Sequence, residues 1–291
     1  MIELREARTD DELELWRYVR MTLLPNERTA SVAELRAGDS LLMLAYRNDE
    51  LVGSGAAGKS DVGGGSVTPR VLPPYRRQGI GTELLRRLAS IIEESGFEDV
   101  GSMVEDSGSL AFAERFGFVE TGRQVEQVRT VGPDEPWPVV PEGIEVVTLA
   151  ERPELLPRLY HELALQAFED MPTPRKIEIT LEQWESEWLN WPEATFVALA
   201  GEEIVGMAGL NYDADQPDRA ENTLTTVRRD WRGRGLARML KETATAWASE
   251  QGIREIYTWT QTGNENMRAV NERLGFVTRE TSTSVRRALP L

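Results

Sequence analysis

The stretch Thr226–Ala248, TVRRDWRGRGLARMLKETATAWA, joins the end of a predicted strand to a glycine-rich turn and then to a helix. Glycine lets the backbone approach a ligand closely, the turn directs successive N–H groups into one cavity, and the start of the helix adds partial positive charge. Together these features predict a seat for a pyrophosphate. Its residues fit the pattern R-x-x-G-x-A and are Arg232, Gly233, Arg234, Gly235, Leu236 and Ala237.

The helix after this turn has an apolar face that would anchor the turn. Gly252 follows it in the place of a glycine just past a helix C-terminus. By itself the six-residue pattern is also compatible with an ordinary strand-to-helix turn. The apolar residues that recur at helical spacing are Leu236, Leu240, Ala244, Trp247 and Ala248.

The same pattern occurs once more, half a chain earlier. Gly79 lies 156 positions before Gly235, and Gly96 lies 156 positions before Gly252. The segments ELVG and EIVG repeat at an offset of 153, and RFGFV and RLGFV at an offset of 158. Two copies of one domain are the simplest account. The earlier loop consists of Arg76, Arg77, Gln78, Gly79, Ile80 and Gly81.

These loops and G-F pairs resemble the GNAT superfamily of acetyl-CoA-dependent N-acyltransferases, whose signature is R/Q-x-x-G-x-G/A after the fourth strand and G-F near the sixth. The resemblance covers nearly the whole chain as two tandem domains. It implies an α+β fold in which each domain is a mixed, mostly antiparallel, twisted sheet flanked by helices, with acetyl-CoA as co-substrate. Neither loop has the G-K-[ST] ending of a nucleotide triphosphatase or a GxGxxG dinucleotide setting, so we discard those classes.

The run GPDEPWPVVPEG contains four prolines and no hydrophobic periodicity. It predicts a linker at 133–143 between an N-terminal GNAT-like domain, 1–132, and a C-terminal GNAT-like domain, 144–291. Phe118–Val131 is predicted as the last hairpin of the first domain.

Composition limits the function further. A chain of 291 residues suits two domains, and the lack of cysteine excludes disulfides, thiolate metal sites and an acyl-cysteine intermediate. The formal charge of −16 disfavours nucleic acid and anionic membranes; it either favours a cationic substrate or simply keeps the protein soluble. With one histidine, His161, and no long apolar run, we expect no metal site, no membrane span and a cytoplasmic location.

A candidate catalytic base follows from the resemblance. Family members with a carboxylate base on the fourth strand have it six residues before the apolar end of that strand, which lies five residues before the loop. Counting back from Arg232 gives Val227 and then Glu221. In the first copy the same count gives Val71 and then Gly65. Glu221 is therefore the candidate base, and a surface glutamate beside Asp218 is the alternative.

The usual family acid, a tyrosine four residues before the glycine of the G-F pair, is absent from both copies. The matching residues are Asn271 and Ala113. Asn271 could hydrogen-bond the sulfur or an ordered water. A family asparagine that contacts the cofactor arm is matched by Asn264, but becomes Asp106 in the first copy.

The resemblance and these residues predict an acetyl-CoA-dependent N-acetyltransferase in which a small-molecule primary amine attacks the thioester directly. The backbone of Val227 would bind the pantetheine arm, and Val71 has the same place in the first copy. The N-terminal copy binds CoA without turnover, acts on its own substrate or serves as a scaffold; these alternatives remain open, as does the choice between monomer and homodimer.

Three other functions remain. One is a non-catalytic acyl-CoA-binding or regulatory protein, and another is a purely structural repeat protein. The third is a mycothiol-synthase-like tandem acetyltransferase, whose acceptor is a cysteinyl pseudo-disaccharide.

Overall fold

The computed structural model describes residues 1–173, 175–212 and 214–291. They form two compact units. Unit 1 comprises Met1–Arg123 and Ser282–Leu291, and unit 2 comprises Gln124–Thr281. Each unit combines helices with a mostly antiparallel sheet, so the predicted mixed α+β class is confirmed.

The strands are β1 (Ile2–Glu6), β2 (Leu41–Arg47), β3 (Glu50–Lys59), β4 (Gly65–Val67), β5 (Arg70–Val71), β6 (Asp99–Val104), β7 (Val119–Thr130), β8 (Glu145–Thr148), β9 (Thr195–Ala200), β10 (Glu203–Tyr212), β11 (Arg219–Val227), β12 (Glu255–Gln261) and β13 (Val277–Ala288). The helices are α1 (Asp10–Leu23), α2 (Val32–Ala37), α3 (Ile80–Glu94), α4 (Ser107–Arg115), α5 (Leu156–Arg158), α6 (Leu165–Asp170), α7 (Leu181–Trp188), α8 (Leu236–Glu250) and α9 (Glu265–Arg273). A π-helical segment, Leu159–Ala164, connects α5 to α6.

The sheet of unit 1 has the spatial order β1-β2-β3-β4-β6, followed by residues 283–288 of β13; β5 pairs with β3. The β4–β6 pair is parallel and the other pairs are antiparallel. Because successive side chains of a strand point to opposite faces, β2 packs against two layers. Met43 and Ala45 belong to the core that contains α3, whereas Leu42 and Leu44 pack with Trp16 of α1.

Unit 2 repeats this plan. Its sheet has the order β8-β9-β10-β11-β12, followed by residues 124–130 of β7. The β11–β12 pair is parallel and the others are antiparallel. Phe196 and Ala198 of β9 pack into the core with α8, whereas Val197 and Leu199 pack into the core that contains α6 and α7.

The last strand of each repeat is where the sequence prediction and the structure differ. Residues 118–131 do not form a hairpin: β7 is one continuous strand, and Gly122 lacks the positive φ of a turn glycine. Its residues 124–130 pair with β12 inside unit 2, and the predicted linker at 133–143 also lies within unit 2. Residues 283–288, encoded in the second repeat, pair with β6 inside unit 1.

Each repeat therefore supplies the closing strand of the unit that is formed mainly by the other repeat. The predicted division at the proline-rich segment describes how the repeats are encoded, and the packing divides the chain differently. An alternating pattern specifies which face of a strand is buried but not which strand it pairs with, so the sequence pattern alone does not show this exchange.

Separating the chain at this segment tests the division. Expressed alone, residues 1–140 lack the strand that covers β6, and residues 141–291 lack the strand that covers β12. We expect neither fragment to unfold cooperatively in urea when followed by near-ultraviolet circular dichroism.

The control is the full chain cut by a protease after residue 140, which keeps both pieces. It should retain one cooperative transition. A cooperative transition in residues 141–291 alone would contradict the exchanged arrangement.

Candidate active site

The sheet of unit 2 opens between two of its strands. β11 and β12 are in register only at Arg219↔Glu255, Ala220↔Ile256 and Glu221↔Tyr257. β11 then continues to Val227 alongside β10, while β12 continues to Gln261 alongside β7. Beyond Glu221 the facing edges of β11 and β12 are therefore not joined by strand pairing in the described residues. Such a gap offers backbone groups to a ligand that is long and narrow.

A β-bulge lies beside this gap. The register between β10 and β11 shifts from Leu210↔Asn222 to Ala208↔Thr225, so two residues of β11, at 223 and 224, lie opposite Gly209. The Oγ1 of Thr223 donates to the carbonyl of Trp188 at the end of α7, 3.0 Å away. A bulge redirects side chains and interrupts the ladder, and here α7 fixes its position.

The predicted phosphate loop lies between the end of β11 and α8. Gly233 and Gly235 adopt φ of +77° and +83°, and α8 begins at Leu236. In the part of the chain that the structure describes, the N–H groups of residues 233–238 donate to no protein acceptor. A Cβ built on either glycine has no neighbour within 4 Å. The loop therefore presents a row of free amides to open space at a helix N-terminus, which fits a diphosphate.

Arginine side chains fix the loop from behind. The Nε of Arg232 donates to the carbonyl of Val227 over 2.9 Å, and its guanidinium also pairs with Asp170 of α6. Arg229 pairs with the same carboxylate, and the hydrogen bond from Arg229 is the main reason that the pKa of Asp170 is lowered. The sequence assigns the backbone of Val227 to the cofactor arm, and its carbonyl already accepts this hydrogen bond from the loop.

The loop of unit 1 has the same backbone. The Nε of Arg76 donates to the carbonyl of Val71 over 3.2 Å, Gly79 has φ of +86°, and α3 starts at Ile80. Arg77 occupies the left-handed region with φ of +63°, where unit 2 has Gly233. An L-residue pays about 1–2 kcal/mol for that conformation. The N–H groups of residues 77–81 have no protein acceptor among the described residues.

Gly81 and Gln78 of this loop also lie close to other residues of unit 1. A Cβ built on Gly81 would lie 3.5 Å from Val71 and 3.6 Å from Phe112. Gln78 accepts a hydrogen bond from Arg47 and donates to the carbonyl of Pro74 over 3.3 Å.

Glu221 is half-buried at the last paired position before the gap. The next residue, Asn222, points toward α8, where its side chain accepts a hydrogen bond from Lys241. Because side chains alternate along a strand, Glu221 points to the opposite face, the one that α7 covers. The carboxylate is thus placed on the same face as the bulge contact to α7.

The strand register corrects the alignment of the two copies by one residue. Glu221 faces Tyr257 and Ser66 faces Gly101, and Tyr257 and Gly101 are 156 positions apart. The counterpart of Glu221 is therefore Ser66 instead of Gly65. A Cβ at Gly65 would lie 2.1 Å from Ile92, so no side chain fits there. In either alignment unit 1 has no carboxylate at this strand position.

Asn271 lies in the interior of unit 2, with its side chain fully buried. Its Nδ2 donates to Gln127 Oε1 over 2.9 Å and lies 3.4 Å from Thr260 Oγ1. Its Oδ1 and the Nε2 of Gln127 are buried without hydrogen-bond partners. An orphaned buried polar atom costs about 1–3 kcal/mol. Since Thr260 lies on β12 beyond the paired residues, these orphans adjoin the gap and fit a ligand that carries amide groups, as the pantetheine arm does.

Asn264 and Asp106 differ in what their side chains do. Asn264 precedes α9 but makes no capping hydrogen bond with its side chain. Asp106 caps α4 by accepting the N–H groups of Gly108 and Ser109 at 2.8 and 2.9 Å. The Asn264 amide is not used by its own helix, whereas the Asp106 carboxylate is.

Lys241 was not singled out from the sequence. It is 3% exposed, donates to Asn222 and lies 5.3 Å from the centre of the Phe276 ring. Burial lowers the pKa of Lys241 to about 7. In unit 1 the equivalent positions hold Leu85 and Val67, both in the apolar core. The sequence carried one signal that could have identified it: Lys241 follows Leu240 on a helix whose apolar face is wide.

The backbone of Asn222 lies at the gap. The Thr258 Oγ1 donates to the Asn222 carbonyl over 2.8 Å and so bridges β11 and β12 just past their last paired residues. The buried amine of Lys241 is thereby joined to the point where the strands separate.

Two further findings concern metals and membranes. In the described ranges, no group of three or more His, Cys, Asp or Glu side chains is placed to hold a metal ion. No helix in that part of the chain combines the length and apolar character needed to cross a bilayer.

The described residues form two α+β units, each with a glycine-containing loop at the N-terminus of a long helix. A family model described as "Acetyltransferase (GNAT) family" matches residues 2–118 and 156–276, and the chain belongs to this family.

Curated relatives and solved structures agree with two GNAT regions. A mycothiol acetyltransferase of Brachybacterium faecium is 28% identical over 225 residues, covering 75% of this chain and 66% of that protein. One from Rhodococcus jostii is 26% identical over 243 residues, covering 74% and 72%. The chain thus spans just under two thirds of the length of the first relative. A tandem GNAT protein from the clavulanic acid biosynthesis pathway shares the fold over 100% of both chains, with a TM-score of 0.79 and 18% identity.

Substituting Gly235 by valine tests the phosphate loop. In a Gly79→Val background, where only one loop is intact, Gly235→Val should weaken acetyl-CoA binding by at least ~10-fold in titration calorimetry, because the amide cradle cannot keep its left-handed residue.

Gly143→Val is the matched control, since Gly143 has φ of +79° and equally open surroundings. It should cost similar stability, about 1–2 kcal/mol, with unchanged affinity. Equal affinity in both variants would contradict the loop assignment.

The burial of Lys241 predicts a pH dependence of stability. The folded pKa of Lys241, about 7, lies below the ordinary lysine value of 10.5, so between these pH values the unfolded chain binds more protons than the folded one. Stability should therefore rise with pH across this window, by at most about 1.4 kcal/mol per unit. Below pH 7 this contribution is flat.

Urea unfolding at pH 7 to 9.5 measures it. Lys241→Met should remove the rise, whereas Arg238→Met, on the exposed side of α8, should preserve it. A rise of the same size in Lys241→Met would assign it to another group.

Proposed function

We propose that the chain is an acetyl-CoA-dependent N-acetyltransferase that uses unit 2 to transfer an acetyl group to the primary amine of a small molecule. One observation carries the proposal: a row of unpartnered loop amides lies at one end of a gap in the sheet, and a half-buried carboxylate lies where that gap begins. Acetyl-CoA supplies the activated acetyl thioester; the chain has to hold it, orient the amine and accept a proton.

The loop residues 232–237 would bind the diphosphate through main-chain N–H groups. The positive end of α8 and the nearby guanidinium groups add electrostatic stabilisation. The unpaired edges of β11 and β12, together with the orphaned Asn271 Oδ1, are suited to hydrogen-bond the amide-containing arm. The Asn264 amide is available at the start of α9 for the same arm.

Glu221 would take the proton of the attacking amine, directly or through a water molecule. An amine with a pKa near ~10 is protonated in all but roughly one molecule in a thousand at pH 7, so a base has several kcal/mol to supply. The departing thiol, with a pKa near ~8.5, needs less help. This fits a site that has a carboxylate on β11 and an amide, Asn271, where many relatives by resemblance have a tyrosine.

A second candidate function is supported by the mycothiol acetyltransferases among the relatives. In that case the acceptor is a cysteinyl amine on a pseudo-disaccharide. An acceptor panel that contains both simple primary amines and a cysteinyl amine, assayed by release of CoA thiol, separates the two candidates.

Glu221→Gln tests the base. It should lower kcat by ~100-fold or more at neutral pH with little change in acetyl-CoA affinity, because the proton acceptor is lost and the loop is not. The defect should shrink as pH rises, since free amine then becomes abundant.

Glu272→Gln is the control, because it removes the same charge from an exposed position of α9. Full turnover by Glu221→Gln across the whole pH range would remove Glu221 from the mechanism.

A further inference from the structure

Unit 1 has its own gap, and charged side chains flank it. β4 and β6 are in register only at Gly65↔Val100 and Ser66↔Gly101. Past this point β5 runs beside β3 and carries Arg70, while β6 continues and is followed by Glu105. A cation and a carboxylate thus lie on the two sides of the opening that corresponds to the gap of unit 2.

Two further charges reach the same place from α1 and the segment after it. Arg20 pairs with Glu27 at 3.0 Å and lies 3.4 Å from the Thr29 hydroxyl. The charges of Arg20 and Glu27 are therefore paired with each other. Electrostatically they act on Glu105: the charge of Glu27 raises its pKa, and Arg20 opposes that effect.

Arg70 and Glu105 differ from that pair because neither is in an ion pair. Among the described residues, no carboxylate oxygen lies within 4.0 Å of the Arg70 guanidinium. Its one side-chain hydrogen bond goes to Thr68 Oγ1, 3.1 Å away, and it lies 5.9 Å from the centre of the Trp16 ring. Glu105 likewise has no basic side chain within that distance. Opposite charges that share a gap without touching leave room for a ligand between them.

Both groups are partly withdrawn from water. Burial is the main cause that raises the pKa of Glu105 to about 7, and burial also lowers the pKa of Arg70 to about 10. A carboxyl group with a pKa near the working pH is suited to accept and release a proton. Arg70 remains charged at neutral pH.

The fold does not require these charges. The β6 and β12 registers make Gln261 the counterpart of Glu105. The pairing of β5 with β3 and of β11 with β10 makes Thr226 the counterpart of Arg70. Unit 2 thus forms the same gap with two neutral residues. Since even partial burial of an unpaired charge costs free energy, an arginine and a glutamate at these positions call for a functional explanation.

We propose that unit 1 is a second acetyl-acceptor site that takes a small α-amino acid, with Arg70 binding its carboxylate and Glu105 accepting the proton of its amine. The site rests on the proposed function only in that acetyl-CoA is the acyl donor. The adjacent loop, with free N–H groups at 77–81, provides the seat for that donor.

The transfer balances as follows. The ammonium gives one proton to Glu105, the amine nitrogen forms a bond to the acetyl carbon, and the bond from that carbon to sulfur breaks with its electron pair going to sulfur. The nitrogen then gives its second proton to the thiolate, and Glu105 returns its proton to solvent. The products are an N-acetyl amino acid and CoA.

The test uses the full chain with Glu221→Gln, which silences the proposed unit 2 site. Release of CoA thiol is measured with acetyl-CoA and each of the standard L-α-amino acids in turn. We expect release that depends on at least one amino acid, and a fall of ~100-fold or more when Glu105→Gln is added. Glu114→Gln, an exposed position of α4, is the charge-matched control and should have no effect.

The carboxylate contact is tested by changing both partners. In the Glu221→Gln chain, the KM of the preferred amino acid's methyl ester should be at least ~10-fold higher than that of the free acid. When Arg70→Met is added, the ester and the free acid should have equal KM. The ester comparison on the Glu221→Gln chain does not depend on the folding of the arginine variant. The rate should also rise with pH through about 7, since Glu105 must be deprotonated; Glu27, Arg20 and Arg70 are the charged groups that influence it.

Absence of amino-acid-dependent release from Glu221→Gln would overturn the proposal, as would release that Glu105→Gln leaves unchanged. Failure of the unit 2 function has a different signature: the Glu105→Gln chain, with Glu221 intact, would then acetylate no amine of the panel.

Discussion

The short parallel pairing between β11 and β12 is the constraint on which the site depends. Strand pairs gain stability from each hydrogen-bonded residue, yet these two strands stay joined over only three residues and then follow different neighbours. β10 holds one side of the gap and β7 holds the other, so the gap persists without closing onto itself. Unit 1 repeats the arrangement with two paired residues between β4 and β6. Backbone groups that line such a gap need water or a ligand as hydrogen-bond partners.

The two predicted phosphate loops depend on the same gap, because each begins where the strand on one side of the gap ends. In both units an arginine side chain returns to the carbonyl of the last apolar residue of that strand, Val227 or Val71. This hydrogen bond fixes the direction in which the loop leaves the sheet, and two left-handed residues then turn the amides outward. The backbone is nearly the same although one unit uses Gly233 and the other uses Arg77. Main-chain geometry has been preserved while the side chains around it have diverged.

The interiors beside the two gaps differ more than the loops do. Unit 2 buries Lys241 against Asn222 and leaves polar atoms of Asn271 and Gln127 without partners, where unit 1 has Val67 and Leu85 in an apolar core. Unit 1 instead has Arg70 and Glu105 at its gap. Polar groups that are withdrawn from water without full hydrogen bonding or pairing lower stability, and proteins tolerate that cost mainly at functional sites. The two units have such groups at different places. This divergence is what two sites with different acceptors would require.

The sequence by itself determined the features that depend on local geometry. The two loops could be located because glycines at fixed spacing, a strand before them and an amphipathic helix after them leave few other conformations, and the repeat offset located the second copy from the first. The family followed from those residues as well. Only the tertiary structure decided that β7 and β13 close the units formed by the other repeat, that Ser66 is the counterpart of Glu221, and that Asn271 and Lys241 are buried. These outcomes depend on which distant strand a segment pairs with, and an alternating pattern specifies the face a side chain takes but not the partner it meets.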